Sequence, residues 1–359
     1  MLTDRLYEAA FAPERWESAL DAMAAASGSA SGSLVVYRTL DEAPRFRATA
    51  LTRDGLTAFV ESGAWRHCGR MRAAASSPWR GFLYPCELTG ASNAGPDAVL
   101  AALDSLGLAA QLNALVPLPT GETCGVTVER AKERGPHDPR ERALLDALAP
   151  HLSRACLVAA RMGLEAARSA AHAFALLGLP AAALRADRRV VAANDLFADR
   201  ADLFAERGAG RLTLRDARAD ALFAEAVERA GRGGGGARSI PLRGVAGAPS
   251  AVLHVLPARR AARDILCGAD VMVAATQVRL DRAAPEPPVL TALFDLTPSE
   301  ARLCVEIARG AGLPEAARRL DVTLKTARTY LDRAFAKTGA HSQIDLLALL
   351  RSAAPPGVA

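Results

Sequence analysis

The sequence predicts a multidomain chain in which an α+β region is followed by an all-α domain of four short helices. Three observations carry that prediction. The chain has 359 residues, and at roughly 150 residues per domain it needs two or three folded units, each with its own core. Up to about residue 280, helical stretches alternate with short β-branched runs bounded by Gly, Pro and Asp, as in mixed α+β units. Beyond a Pro-rich segment the pattern changes, and residues 291–352 show only helical periodicity, punctuated by caps and stops.

The first unit is expected over 1–137. Helical stretches Leu2–Phe11 and Trp16–Ala26 lead into a Gly/Ser run, Ser27 to Ser33, and a strand over Leu34–Tyr37. A further helix over Ala98–Leu106, the apolar run Ala114–Pro119 and a strand from Cys124 (CGVTVER) follow. A connector helix is expected over 138–177, because Asp138 as N-cap, Pro139 at the first helical position and Glu141 at the third form a capping box. Leu145, Leu148, Leu152, Ala155, Ala159, Met162 and Ala166 then recur at steps of three and four, drawing one apolar seam. That seam fits a dimer-forming connector or a helix folded back on its own domain, with a kink expected at Pro150.

A second unit is expected over 178–280. LPAAALRADRRVVAAN (Leu179 to Asn194) reads as a strand, a turn and a strand, and DLFADRADLFAE as helical. SIPLRG, AVLHVLP and ADVMVAAT have the length and composition of antiparallel strands. The prolines of 281–290 predict an extended linker rather than a helix.

Residues 291–352 then show four helix patterns. Thr297, Pro298 and Glu300 make a capping box for the first, and Gly310 stops it. Pro314 begins a short second helix through Leu320, Asp321 and Val322 make a tight turn, and Thr323 caps a third helix ending at Gly339. Ser342 and Asp345 open the fourth. Six basic residues between Arg318 and Lys337 face two acids, and two of the chain's three lysines lie there. Helix, tight turn, helix with this charge is the geometry that seats one helix in a DNA major groove; the plainer alternative is a solvated basic face on a small bundle.

Here the chain resembles the LuxR/GerE-type helix-turn-helix family, through Leu296-Thr297, Glu300, Gly310, Glu315, Ala317, Leu320, Lys325-Thr326, Lys337 and Gly339 at the family's spacing. It departs at Tyr330, Ala327 and Gln343. The last stretch looks like the subgroup with GAF-like and PAS-like sensor regions, and Leu179 to Asn194 resembles the opening hairpin of a PAS domain, with Asn194 before its first helix. The resemblance implies a GAF-like unit, a PAS-like unit and a DNA-binding unit whose contact residues are Thr323, Lys325, Thr326, Arg328, Thr329, Asp332, Arg333 and Lys337. The resemblance also implies that Lys325, Thr326 and Lys337 lie near phosphates, while Arg328, Thr329 and Asp332, on one face within about a turn, have the chemistry to read bases.

Catalytic patterns fail one by one. GxGxxG occurs at Gly231, Gly233 and Gly236, but after a helical pattern and before a strand, the reverse of a dinucleotide turn. No GxxxxGK[ST], GxSxG or HExxH occurs, and the six cysteines (Cys68, Cys86, Cys124, Cys156, Cys267, Cys304) form no CxxC. No catalytic residue, metal ligand or cofactor is therefore expected. His254 on an apolar strand is more often a core residue than a haem ligand, Asp195 follows Asn194 where a photoreactive PAS unit would need Cys, and Trp65, Trp79 and Tyr84 read first as core aromatics rather than a ligand pocket. The opening MLTDRLYEAAF lacks an apolar signal core, and no membrane span is expected, so the chain is assigned to the cytoplasm.

With a formal net charge of +5 and a pI near 9.1, the expected function is a DNA-binding transcription regulator whose sensor region controls its helix-turn-helix. Its expected partners are double-stranded DNA and a second copy of the chain, with RNA polymerase and a small molecule in the sensor region as further candidates. The alternatives are a sigma-factor-like domain working with RNA polymerase and a ligand-binding or protein-interaction sensor without DNA binding.

Overall fold

The computed structural model describes residues 1–39, 42–75, 81–89, 98–208, 210–231, 236–243, 250–258, 265–266, 268–277 and 284–352. Trp79, Gly233, Cys267 and residues 281–283 of the expected linker lie outside them.

Helices α1 (Leu2–Phe11) and α2 (Trp16–Ala26) occupy the stretches their periodicity marks. They are followed by β1 (Ser31–Tyr37), β2 (Arg45–Ala48), α3 (Ala50–Glu61), α4 (Gly69–Ala75), α5 (Pro85–Thr89), α6 (Ala98–Ser105), β3 (Leu108–Pro117) and β4 (Thr123–Ala131). The four strands make one antiparallel sheet in the order β2-β1-β4-β3. Strand periodicity of two gives the sheet two faces. Leu34, Val36, Leu112, Ala114, Val126 and Val128 join the core shared with α1 and α2, whereas Ser33, Val35, Tyr37, Thr127 and Glu129 point the other way.

The capping box at Asp138 forms as expected. Its carboxylate accepts from the N–H of Arg140 (2.7 Å) and Glu141 (2.9 Å), and Glu141 accepts from the N–H of Asp138 (2.8 Å). It opens α7 (Pro139–Leu176), which runs through Pro150 to 38 residues. Leu145, Leu148, Leu152, Ala155 and Ala159 are buried within the chain's own fold, while Met162 and Ala166 are exposed. Most of the seam therefore follows the fold-back alternative. By length and composition α7 is also long and apolar enough to cross a membrane, contrary to the expectation that no such stretch exists. Its buried residues pack into the interior of the protein, against α1 in its first half.

The second unit contains β5 (Ala181–Leu184), β6 (Val190–Ala193), α8 (Asp195–Ala198), β7 (Phe204–Arg207), β8 (Arg211–Leu214), α9 (Ala217–Gly231), β9 (Arg238–Leu242), β10 (Ala251–Pro257) and β11 (Val271–Gln277). Five strands form an antiparallel sheet ordered β6-β5-β11-β10-β9, and β7-β8 is a separate hairpin. The expected helix DLFADRADLFAE is thus mostly not helical. Phe197 stacks on Phe204 with ring centroids 4.2 Å apart, whereas seven helical residues would separate them by about 10 Å along the axis; the chain must reverse.

The two units are tied by charge as well as by α7. Glu122, in the β3–β4 turn and 2% exposed, accepts from Arg45 (2.9 and 3.2 Å), from Arg185 of the second unit (2.6 Å) and from Thr120 (2.8 Å). Burial alone would raise this carboxyl, and the Arg45 and Arg185 guanidinia outweigh it, holding it below the ordinary range. Arg45 also donates to the carbonyl of Ile265 (2.9 and 2.7 Å), and Leu266 is fully buried in the first unit's core. Glu42 and Arg189 form a further ion pair across the junction.

The last unit consists of α10 (Pro287–Phe294), α11 (Pro298–Ala308), α12 (Leu313–Arg319), α13 (Leu324–Thr338) and α14 (Gln343–Ser352). It has five helices rather than four, because the second half of the expected linker is α10. Pro287 and Pro288 occupy its first turn, where a missing N–H costs nothing. Leu290 brings α10 into a core with Leu296, Leu303, Ile307, Leu331 and Leu346.

Asn194 fastens the opening of the second unit. Its Oδ1 accepts from the N–H of Ala181 (3.1 Å) and Phe197 (3.0 Å), and its Nδ2 donates to the carbonyls of Ala171 and Leu179 (2.9 Å each). Asn194→Ala leaves two buried donors and two acceptors without their partner, so it should lower stability by about 2–5 kcal/mol. Urea unfolding followed by circular dichroism checks this, with Asn194→Asp expected to be destabilising as well, since it sets a carboxylate against two carbonyl oxygens.

Candidate nucleic-acid interface and an interior cavity

The turn between α12 and α13 is built from local hydrogen bonds. The N–H of Asp321 reaches the carbonyl of Arg318 (3.2 Å), that of Val322 reaches Ala317 (3.0 Å), and Asp321 itself adopts a left-handed conformation at φ 54°. Thr323 then caps α13, its hydroxyl oxygen accepting from the N–H of Thr326 (3.1 Å). Gly339, at φ 74°, ends the helix as expected.

Periodicity divides α13. Ala327, Leu331 and Ala334 are buried beneath it, and Lys325, Arg328, Thr329, Asp332 and Arg333 are exposed on its outer side. Among the described residues, the charged groups of Lys325, Arg328, Asp332 and Arg333 make no hydrogen bond or ion pair, so Arg328 and Asp332 are not engaged with each other four residues apart. Thr329 donates its hydroxyl to the carbonyl of Lys325 (3.1 Å), and Thr326 shares a hydrogen bond with Thr323 (2.8 Å). A helix with free guanidinium and ammonium groups on one face can meet phosphate oxygens and base edges.

Lys337 is placed differently from the other expected contact residues. Its ammonium donates to the carbonyl of Asp295 (2.8 Å) and to Glu300 (2.8 Å), which is 1% exposed and completes the Thr297 capping box. Burial would raise the Glu300 carboxyl, but Lys337 and the Thr297 N–H overcome it and hold it below the usual value. A second lock joins α11 to α12, where Glu306 accepts from Arg319 (2.9 Å) and Arg309 (2.7 Å) and is likewise lowered, first by Arg319.

Sequence reasoning missed a cavity of about 130 Å³ in the first unit, between the sheet and α3, α4 and α6. Trp65, Trp79 and Tyr84 are not among its described lining residues. Trp65 donates from Nε1 to the carbonyl of Val60 (3.2 Å) and Tyr84 from its hydroxyl to that of His137 (3.2 Å). The signal was present in CGVTVER, whose Thr127 and Glu129 fall on the strand face opposite Val126 and Val128. His254 is satisfied through both ring nitrogens, with Ser239 (2.9 Å) and Thr276 (2.9 Å), and among the described residues no group of three or more His, Cys, Asp or Glu could hold a metal ion.

No family model matches the chain, and no curated protein matches it significantly. Among solved structures it is similar to the N-acylhomoserine lactone dependent LuxR family transcription factor CepR2 of Burkholderia cenocepacia, at 18% identity and a TM-score of 0.34 over 43% of this chain and 90% of that one. SdiA of Escherichia coli gives 10% identity and a TM-score of 0.33 over 95% and 91%. VqmA of Vibrio cholerae, described as a LuxR-type receptor, gives 13% and 0.23 over 52% and 94%. Superpositions this loose assign the chain neither a family nor a ligand.

Both locks favour the carboxylate form, so their stabilisation is present above the ordinary carboxylate range and is lost as pH falls from about 4.3 through the depressed folded values. Hydrogen-exchange protection of α11 and α13 should fall across that window. Lys337→Ala should cost the last unit about 1–3 kcal/mol at neutral pH, read as reduced protection of the same helices.

Proposed function

We propose that the protein is a sequence-specific DNA-binding transcription regulator whose last unit, a LuxR/GerE-type helix-turn-helix by resemblance, enters the major groove with α13. One observation carries this reading: the exposed side of α13 holds Lys325, Arg328 and Arg333 without partners among the described residues, while its buried side and both ends are fixed. A rigid helix that presents a basic face suits a polyanion. Residues 291–352 are the proposed binding unit, with Thr323, Lys325, Thr326, Arg328, Thr329, Asp332 and Arg333 at the interface and Lys337 as the residue that positions α13. Units 1–137 and 178–280, joined by 138–177, are the proposed GAF-like and PAS-like sensor region. The PAS-like label is supported by the β5–β6 hairpin and by Asn194 capping α8. We assign no catalysis, place the protein in the cytoplasm and treat a small molecule as the input.

Selection of bound sequences from a random duplex library, with no RNA polymerase present, tests the reading, and failure to enrich any site rejects it. At an enriched site Arg328→Ala should cost roughly 1–3 kcal/mol mainly at one base pair per half-site. Lys325→Ala should weaken all sequences alike and reduce the salt slope by about one. Fluorescence anisotropy at several salt concentrations separates the two.

Paired half-sites require paired recognition helices, so the DNA-bound protein is expected to be a two-fold dimer. Light scattering of the complex measures this, and one chain per site would remove it.

A further inference from the structure

The two faces of the first sheet differ in kind. One packs on α1, α2 and α7 as an apolar core, and the other borders the cavity beneath α3, α4 and α6. Val35, Phe46, Leu56, Phe59, Met71 and Leu115 supply apolar walls. The strand register gathers polar side chains at one end of the floor, where Glu129 lies opposite Ser31 on β1 and Gln111 on β3.

This polar end is a built network. Glu129 is 2% exposed; its Oε1 accepts from Thr127 (2.6 Å) and Gln111 (3.0 Å), and its Oε2 accepts from Ser31 (2.7 Å). Gln111 in turn accepts from Arg70 (2.7 Å), which is 9% exposed. A carboxylate has about four acceptor positions, so Oε2 retains capacity beyond Ser31. Thr52, 3% exposed and also lining the cavity, has a buried hydroxyl without a hydrogen-bond partner among the described residues. Burying a carboxylate, a guanidinium and an orphan hydroxyl beside an apolar space is costly for stability alone. Binding sites, in contrast, combine apolar walls with a few convergent polar groups.

The geometry points to a binding site for a small, mainly apolar, uncharged molecule that carries a hydrogen-bond donor, with the donor on Glu129 and the apolar body among Phe46, Phe59 and Met71. An anionic head would meet the Glu129 carboxylate. A cationic head would stand near the Arg70 guanidinium, which is buried against Gln111 at the same end of the cavity. The site names the ligand class for the regulator proposed above and rests on that reading for its purpose, although its occupancy does not depend on DNA.

The test is isothermal titration calorimetry of the full chain at neutral pH with 4-ethylphenol as probe. Three analogues accompany it: the methyl ether 4-ethylanisole, which lacks the donor, 4-ethylbenzoate, which is anionic, and 4-ethylbenzylamine, which is cationic. One molecule of 4-ethylphenol per chain should bind, and each analogue should bind at least tenfold more weakly. Glu129→Gln should bring the ether within threefold of the phenol. Gly125→Val should abolish binding with the fold retained, because a Cβ at Gly125 meets Leu115, the Val35 carbonyl and Tyr37 only at 3.8 to 3.9 Å and the added methyls enter the cavity. Equal affinity for phenol and ether, unchanged binding by Gly125→Val, or no binding of 4-ethylphenol at millimolar concentration would each overturn the proposal. Should Glu129→Gln fail to fold, the analogue series on the unaltered chain and Gly125→Val still decide it. Ligand binding without DNA binding rejects the regulator reading and keeps the site, and DNA binding without ligand binding does the reverse.

Discussion

A helix of 38 residues cannot be buried by one small unit. At 1.5 Å per residue α7 extends about 57 Å, roughly twice the diameter of a small domain. Its first half therefore completes the core of the first sheet, with Leu145, Leu152 and Cys156, and its second half reaches the next unit through Ala167 and Ala171. Small side chains toward its end allow close packing on β5 and β6. Once α7 is shared, the two units need only a second tie to fix their orientation, and Glu122 between Arg45 and Arg185 provides it.

The same economy governs the last unit. Its apolar core is small, and two carboxylates at the ends of α11 do the aligning: Glu300 holds the far end of α13 through Lys337, and Glu306 holds α12 through Arg319. The residues that resemblance groups together thus divide into those that build the frame and those left free on its surface. Lys337 belongs to the frame.

Legibility in the sequence followed the range of the interaction. Local signals were readable, since caps at Asp138, Thr297 and Thr323 depend on residues within one turn, and α1 and α2 are bounded where periodicity places them. Misplaced elements were set by contacts between distant residues. The reversal after Ala198 is enforced by Phe197 against Phe204, and α10 exists because Leu290 finds a core supplied by later helices. The outer side of α13 was legible from helical period and charge, whereas the cavity was not, because Glu129, Gln111 and Arg70 converge from three elements.

The burial of Leu266 in the first unit's core bears on how the protein is made. Synthesis proceeds from the N-terminus at about 5–20 residues per second, so the first sheet is complete when Ala131 emerges but its core is not. The nascent unit must wait on the order of ten seconds for Leu266, holding an apolar gap open meanwhile. A chain shortened to end after α7 would therefore lack one apolar side chain of the first unit's core, which is complete only once synthesis has passed β10.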